Sequence, residues 1–181
     1  MSPEALRFVG LLAGAVFTLL VYLIVRPQKR ILLVSLAPAA DFALSDLLME
    51  FLAYRYGIWE CHGEPMLFHV PIVMLANFFV NGIGYCLIVY VILRHRRGLR
   101  LAVDIVLFVT VFGLILYLLE FVWRDSGVTT YLKPYTHWYV LAAWQVLLWV
   151  PVGGFLLMVK VFIGFENIEA RRPEAGRSDN V

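Results

Sequence analysis

Charge is what this sequence has least of. Asp, Glu, Lys and Arg make up 15% of its 181 residues, against 62% apolar residues and a mean hydropathy of +0.83. A soluble globular domain is roughly a quarter charged. A soluble chain of this size would leave much of that apolar area in water, because folded surface grows almost with mass. The scarcity of charge therefore excludes a cytosolic enzyme and a disordered chain. Cysteine is equally scarce. Cys61 and Cys86 are too few for a disulfide framework, and no C-x-x-C zinc spacing occurs. That excludes a small disulfide-stapled secreted domain. The net charge of +2 lacks the basic excess that nucleic-acid binding needs.

What is present is a series of long apolar runs: Phe8–Val25, Ile31 to about Tyr56, Met66–Leu93, Leu101–Trp123 and Trp138–Ile163. Each is long enough, at ~1.5 Å per residue, to cross a ~30 Å hydrocarbon core. In lipid the backbone must satisfy its own hydrogen bonds, so the runs are expected to be helices. The fold expected is all-α: a polytopic integral membrane protein with five transmembrane helices. Residues 1–165 form one membrane domain, and 166–181 a polar, disordered cytoplasmic tail. Pro38 is expected to kink the second span. The first run is too long for a cleaved signal peptide and reads as a permanent anchor.

Basic residues set an expected orientation. With the loop after the first span inside, the inner side holds Arg26, Lys29, Arg30, Arg94, Arg96, Arg97, Arg100, Arg171, Arg172 and Arg177. The outer side holds Arg7, Arg55, Arg124 and Lys133. The positive-inside rule then puts the N-terminus out and the C-terminus in, in a cell membrane or another energy-transducing membrane. Tyr54, Tyr56, Trp59, Trp123, Tyr131, Tyr135, Trp138 and Tyr139 fall at outer span ends as an interfacial belt.

Ionisable groups inside the spans carry the functional information, since each costs ~2.5–3.5 kcal/mol even on a permissive insertion scale. Asp41 lies near the midplane of span two. Asp46 and Glu50 lie further out, four apart on one helix face. In span three, His69, Asn77, Asn81 and Tyr85 form a stripe. Glu120 and Arg124 are an expected i,i+4 pair at the outer end of span four. His137 and Gln145 belong to span five, and Asp104 with Arg100 reads as an interfacial ion pair. These positions predict a polar chamber opening outward between spans two and five. Its acid–base residues would be Asp41, Asp46, Glu50, Glu120, His69 and His137. Its polar lining would be Asn77, Asn81, Arg55, Arg124 and Gln145.

The outer ends allow two readings, an internal repeat or a chance recurrence of common loop residues. The order Glu50, Arg55, Gly57, Pro65, His69 recurs as Glu120, Arg124, Gly127, Pro134, His137, with spacings that slip by one. Parallel repeats of this kind place sites at the repeat interface.

Three chemistries suit such a set. Two glutamates and two histidines are metal-ligand types, but without H-E-x-x-H or H-x-x-H spacing no metal is assigned and the cofactor stays open. A buried carboxylic acid can protonate an alkene or polarise a hydroxyl of an apolar substrate. A midplane acid with a facing Asn stripe and Pro kinks suits a carrier, which five spans would provide only as a homo-oligomer. Gly10 and Gly14 then offer a G-x-x-x-G packing face between copies. The partners expected are the lipid bilayer, a second copy and an apolar small molecule.

One local pattern adds to this. Tyr56-Gly57-Ile58-Trp59, followed by Gly63, Pro65 and Pro71 after an acid-bearing helix, resembles the loop of the lycopene cyclase domain among small polytopic carotenoid-pathway proteins. The resemblance covers about twenty of 181 residues. It implies an all-helical membrane enzyme acting on a long isoprenoid. The family follows its Pro with a pair of glutamates. Here Pro65 leads to Met66-Leu67 and Pro71 to Ile72-Val73, so only Asp41, Asp46 or Glu50 can stand in for them.

Overall fold

Helices follow from the apolar runs, and the loops add something the runs do not show. The computed structural model describes residues 2–62, 65–134, 136–165 and 168. Its helices are α1 (Pro3–Val25), α2 (Lys29–Arg55), α3 (Ile72–His95), α4 (Gly98–Asp125) and α5 (Thr136–Phe162). All five are long and apolar enough to cross a membrane. The tail, apart from Ile168, lies outside the described residues. Ser2 caps α1 by accepting from the Ala5 amide at 3.3 Å, with Pro3 in the first turn where its missing N–H is harmless. Pro38 is buried inside α2, which runs through it as one element.

The core lies between α2, α3 and α5. Phe42, Leu87, Val89, Leu148, Val152 and Phe155 are fully buried there. Gly82 of α3 makes this packing possible, because a Cβ at that position would sit 2.9 Å from the Ala39 Cα of α2. α1 lies outside this core, against α3, with only Arg7 and Gly14 buried.

Among the described residues the α2–α3 and α4–α5 loops carry four short strands: β1 (Trp59–Cys61), β2 (Met66–Leu67), β3 (Val70–Pro71) and β4 (Thr129–Tyr131). β2 and β3 form a small hairpin. β1 and β4 pair antiparallel across the two helical hairpins, Trp59 opposite Tyr131, Glu60 opposite Thr130 and Cys61 opposite Thr129.

This sheet reveals the register of the repeat. α2 ends at Arg55 and α4 at Asp125, 70 residues on, and the residues after them, Tyr56 and Ser126, share φ −91° and ψ 2°. Gly57 and Gly127 then both take positive φ, +60° and +76°, which a Cβ would disfavour. The Ile58 amide donates to Ala53 O and the Val128 amide to Trp123 O. The His62 amide reaches Val128 O and the Leu132 amide reaches Ile58 O, a reciprocal pair. Every one of these equivalences has the same offset of 70, as a local two-fold through Glu60 and Thr130 requires. Glu50 and Glu120 obey it. Arg55 with Arg124, Pro65 with Pro134 and His69 with His137 do not: Arg55 corresponds to Asp125, and beyond the sheet the first loop carries the extra β2–β3 hairpin. Beyond the loops, the buried α3 positions Met74, Gly82, Cys86, Val89 and Leu93 recur in α5 as Val140, Leu148, Val152, Phe155 and Val159, now 66 apart.

Gly82→Ala is expected to destabilise the protein by about 1–3 kcal/mol, since the methyl meets backbone and not a flexible side chain. Gly153→Ala, where a Cβ meets nothing within 4 Å, should change little. Thermal denaturation of both variants in one detergent compares them directly. Equal stability would contradict the close α2–α3 approach.

Candidate functional site

The inward face of α2 is apolar up to Phe42 and then turns acidic. Phe42, Asp46 and Glu50 follow at one-turn steps and are all buried. Asp46 is 0% exposed, and neither of its carboxyl oxygens has a hydrogen-bond partner among the described residues. Glu50 is held from above. The Trp59 indole N–H donates to its Oε2 at 2.6 Å and the Cys61 thiol to the same oxygen at 3.1 Å. Burial pushes the Cys61 thiol well up, with the neighbouring Glu50 carboxyl adding to it, so the group stays a thiol and a donor. From α4, Glu120 reaches the same space, buried and bonded to the Thr129 side chain. Burial and then Glu120 likewise push the Tyr131 phenol up. The three carboxyls of Asp46, Glu50 and Glu120 lie close enough to interact electrostatically with one another.

The counter-charge is Arg7 of α1, only 4% exposed. Its Nε donates to His62 O at 2.8 Å and its Nη2 to Val128 O at 2.9 Å, one carbonyl from each hairpin cap. Nη1 meets the Met74 sulfur at 3.1 Å. Its positive charge is felt by Asp46, Glu50 and Glu120 alike. Sequence reasoning had left Arg7 among the exposed outer charges. The one available signal was its place four residues into a helix that is otherwise apolar.

Below Glu120 a groove of about 340 Å³ runs between α1, α3 and α4. Aromatic rings line it, among them Phe17, Phe42, Tyr85, Phe112, Trp123 and Trp144. On α4 it extends from Phe112 to Trp123, ~16 Å of helix. Val9, Ile115 and Leu119 line it and are also exposed on the outside of the bundle, so its open side faces laterally. The groove exists because α5 packs along α2 whereas the equivalent α3–α4 contact is slight.

The other predicted site residues are spread out. Asn77 and Asn81 line the groove, bonded to each other at 2.9 Å. Asp41 is exposed on the opposite face of α2. His69 is exposed, at φ +66°, and stacks on Tyr54 at 4.0 Å. His137 lies beside Trp138, with the rings 5.2 Å apart. Arg55 is exposed. Arg124 turns away from Glu120 to bond Asp125 at 2.8 Å. Gln145 bonds Thr110 O at 3.3 Å across α4–α5. Asp104 pairs with Arg96 at 2.6 Å and not with Arg100. Gly10 and Gly14 pack within the chain, against Trp123 and against Asn77 and Asn81. The four-residue convergence of Glu50, Glu120, His69 and His137 therefore reduces to the two glutamates. Among the described residues no group of three or more His, Cys, Asp or Glu is arranged to hold a metal ion.

Arg7 should protect the cap. In the folded protein iodoacetamide is expected to modify Cys61 at least ~10-fold more slowly than in the unfolded chain, because little thiolate forms and the site is closed. Arg7→Leu removes the donors from both loop carbonyls and the charge from three acids, a loss of about 3–5 kcal/mol for a buried charge partner. Its Cys61 should label rapidly. Arg7→Lys should protect only in part, since one ammonium cannot span the same acceptors. Unchanged protection in Arg7→Leu would remove Arg7 from this role. No protein-family model, curated protein or solved structure matches the chain.

Proposed function

We propose that this chain is a polytopic integral membrane enzyme that draws a long unsaturated lipid of isoprenoid type from the bilayer and acts on its end with carboxylic acid chemistry. The observation that supports this most is the aromatic groove ending on Glu120, inside the same cluster as Asp46, Glu50 and Arg7. A volume of about 340 Å³ is within the range of small-molecule sites, about 300–1,000 Å³, and seats one end of a longer chain. The resemblance to the lycopene cyclase domain suggests the same substrate class.

The two equivalent glutamates divide the work. Glu50 is fixed by Trp59 and Cys61, so it holds the cap and the local field. Glu120 lines the groove and is the acid that reaches substrate. One guanidinium can neutralise one carboxylate; for the others in a dry site a proton is the least costly counter-ion. In the reaction the Glu120 O–H bond breaks and the π pair of the substrate's terminal double bond forms the new C–H bond. The adjacent carbon becomes cationic, and the surrounding ring faces stabilise it. Loss of a proton from a neighbouring carbon back to the carboxylate restores the double bond in a new place or after ring closure. The sequence is redox-neutral and returns the acid to its starting state.

The test is carbon-bound deuterium. Wild-type protein in nanodiscs, incubated in heavy water with geranylgeraniol or squalene, should introduce deuterium into the chain, read by mass spectrometry. Glu120→Gln should reduce the rate by about 100-fold or more, the usual weight of a general acid, while still binding the lipid. Leu119→Trp, which fills the groove, should abolish binding. Exchange by Glu120→Gln at the wild-type rate would overturn the assignment.

A further inference from the structure

We infer that the head group admitted to this cluster is a hydrogen-bond donor, an alcohol or a primary amine, and not a phosphate or carboxylate. The inference rests on the lipid-groove reading above and specifies what its ligand carries.

The cluster has acceptors in excess. Both Asp46 oxygens are fully buried without a partner. Among the described residues, none of the donors nearby bonds Asp46. Arg7 directs Nε and Nη2 to backbone carbonyls and Nη1 to sulfur. The Trp59 N–H and Cys61 thiol both serve one oxygen of Glu50. The Thr129 side chain serves Glu120. A buried acceptor left unpaired costs about 1–3 kcal/mol, so a donor arriving at Asp46 recovers that cost on binding.

Charge points the same way. With Arg7 balancing one carboxylate and protons the others, a phosphate would bring uncompensated charge into a dry site, and among the described residues no further cation is placed beside it. The groove leads toward the cluster. Phe42, one helical turn before Asp46, and Glu120 both line it, and Asp46 lies fully buried behind that lining, so a head group reaches it by displacing the Phe42 ring. A chain lying along the rings of Phe112 and Trp123 would therefore bring its end toward Glu120 and Asp46.

Four matched probes test this: geranylgeraniol, geranylgeranylamine, the corresponding hydrocarbon and geranylgeranyl monophosphate. Binding to the full chain in nanodiscs is followed by tryptophan fluorescence, since Trp123 and Trp144 line the groove. The alcohol and amine should bind about tenfold or more tightly than the hydrocarbon, and the phosphate most weakly. Asp46→Leu should bring the alcohol to the level of the hydrocarbon while leaving hydrocarbon affinity unchanged. Asp46→Asn, which keeps the side chain polar and close in size, should lose the preference for the amine before that for the alcohol, and it stands in if the leucine variant does not fold. Equal binding of all four probes would overturn the head-group inference and leave the groove intact. Tightest binding of the phosphate would overturn it outright. No binding of any probe would overturn the lipid-groove reading and this inference with it.

Discussion

The structure depends most on one buried guanidinium. Arg7 is the buried charged residue of a helix that packs along α3, where Gly14 passes close to Asn77 and Asn81, Phe17 meets Tyr85 and the Thr18 hydroxyl donates to Val80 O. It donates to a carbonyl of each hairpin cap, His62 and Val128, at the place where both chains leave the sheet. Val128 O also accepts from the His62 amide, so the guanidinium is its second donor; at His62 O it satisfies an acceptor that would be costly to leave unpaired in a non-aqueous setting. The same charge also makes tolerable the three acids beneath the caps. Position of α1, closure of the caps and burial of the acids are therefore one coupled arrangement, and a change in any of them is felt by the others.

Two copies of one unit, related by a local two-fold, would by themselves give two equal sites or none. The departures from symmetry place a groove beside Glu120, and among the described residues no cavity is lined by Glu50. Where α2 carries Asp46, the equivalent position of α4 is Leu116, which lines the groove instead. Where β1 presents Trp59 and Cys61 to Glu50, β4 presents Thr129 to Glu120. Phe42 and Phe112, equivalent positions, both survive as ring faces and both pack against Tyr85. One glutamate is clamped and the other faces the groove, so identical residues in equivalent positions take different tasks.

How much of this was legible in the sequence depended on which physical rule was applied. The rule that charge in a span is costly selected Asp46, Glu50 and Glu120 correctly as buried groups, because it concerns free energy and not spacing. It also selected Asp41, whose outward direction is set by the packing of α2 against α3 and α5. Helical spacing alone paired Glu120 with Arg124. The arginine instead turns to Asp125 and lies over the Phe121 and Tyr131 rings, where its charge remains near water. Counting basic residues by side assigns Arg7 only to the outer side, since that rule tallies charges and does not ask what they bind. The β1–β4 sheet had no sequence signal. Each strand is three residues long, and its partner lies in a loop 70 positions away. The repeat was visible in order but not in register, because Arg at the helix ends and Pro and His in loops of unequal length were counted beside the two true equivalents.

The cap also changes where a ligand must come from. The sequence suggested a chamber open to the outer solution. In the structure Trp59, Val70 and Val128 are buried above the acids, and the sheet with Arg7 beneath it covers the cluster from the loop side. The open side is the lateral gap between α1 and α4, bordered by Val9, Ile115 and Leu119. On the lipid-substrate proposal, a water-borne solute would first have to cross an apolar surface, whereas a bilayer lipid would already be in contact with it. Lateral entry would also keep the site dry, and in a low-dielectric site each carboxyl–ligand interaction is several times stronger than it would be in water. On that reading the barrier that excludes water would select for a long apolar body, and the unpaired acceptors would then select among the ends such a body can carry.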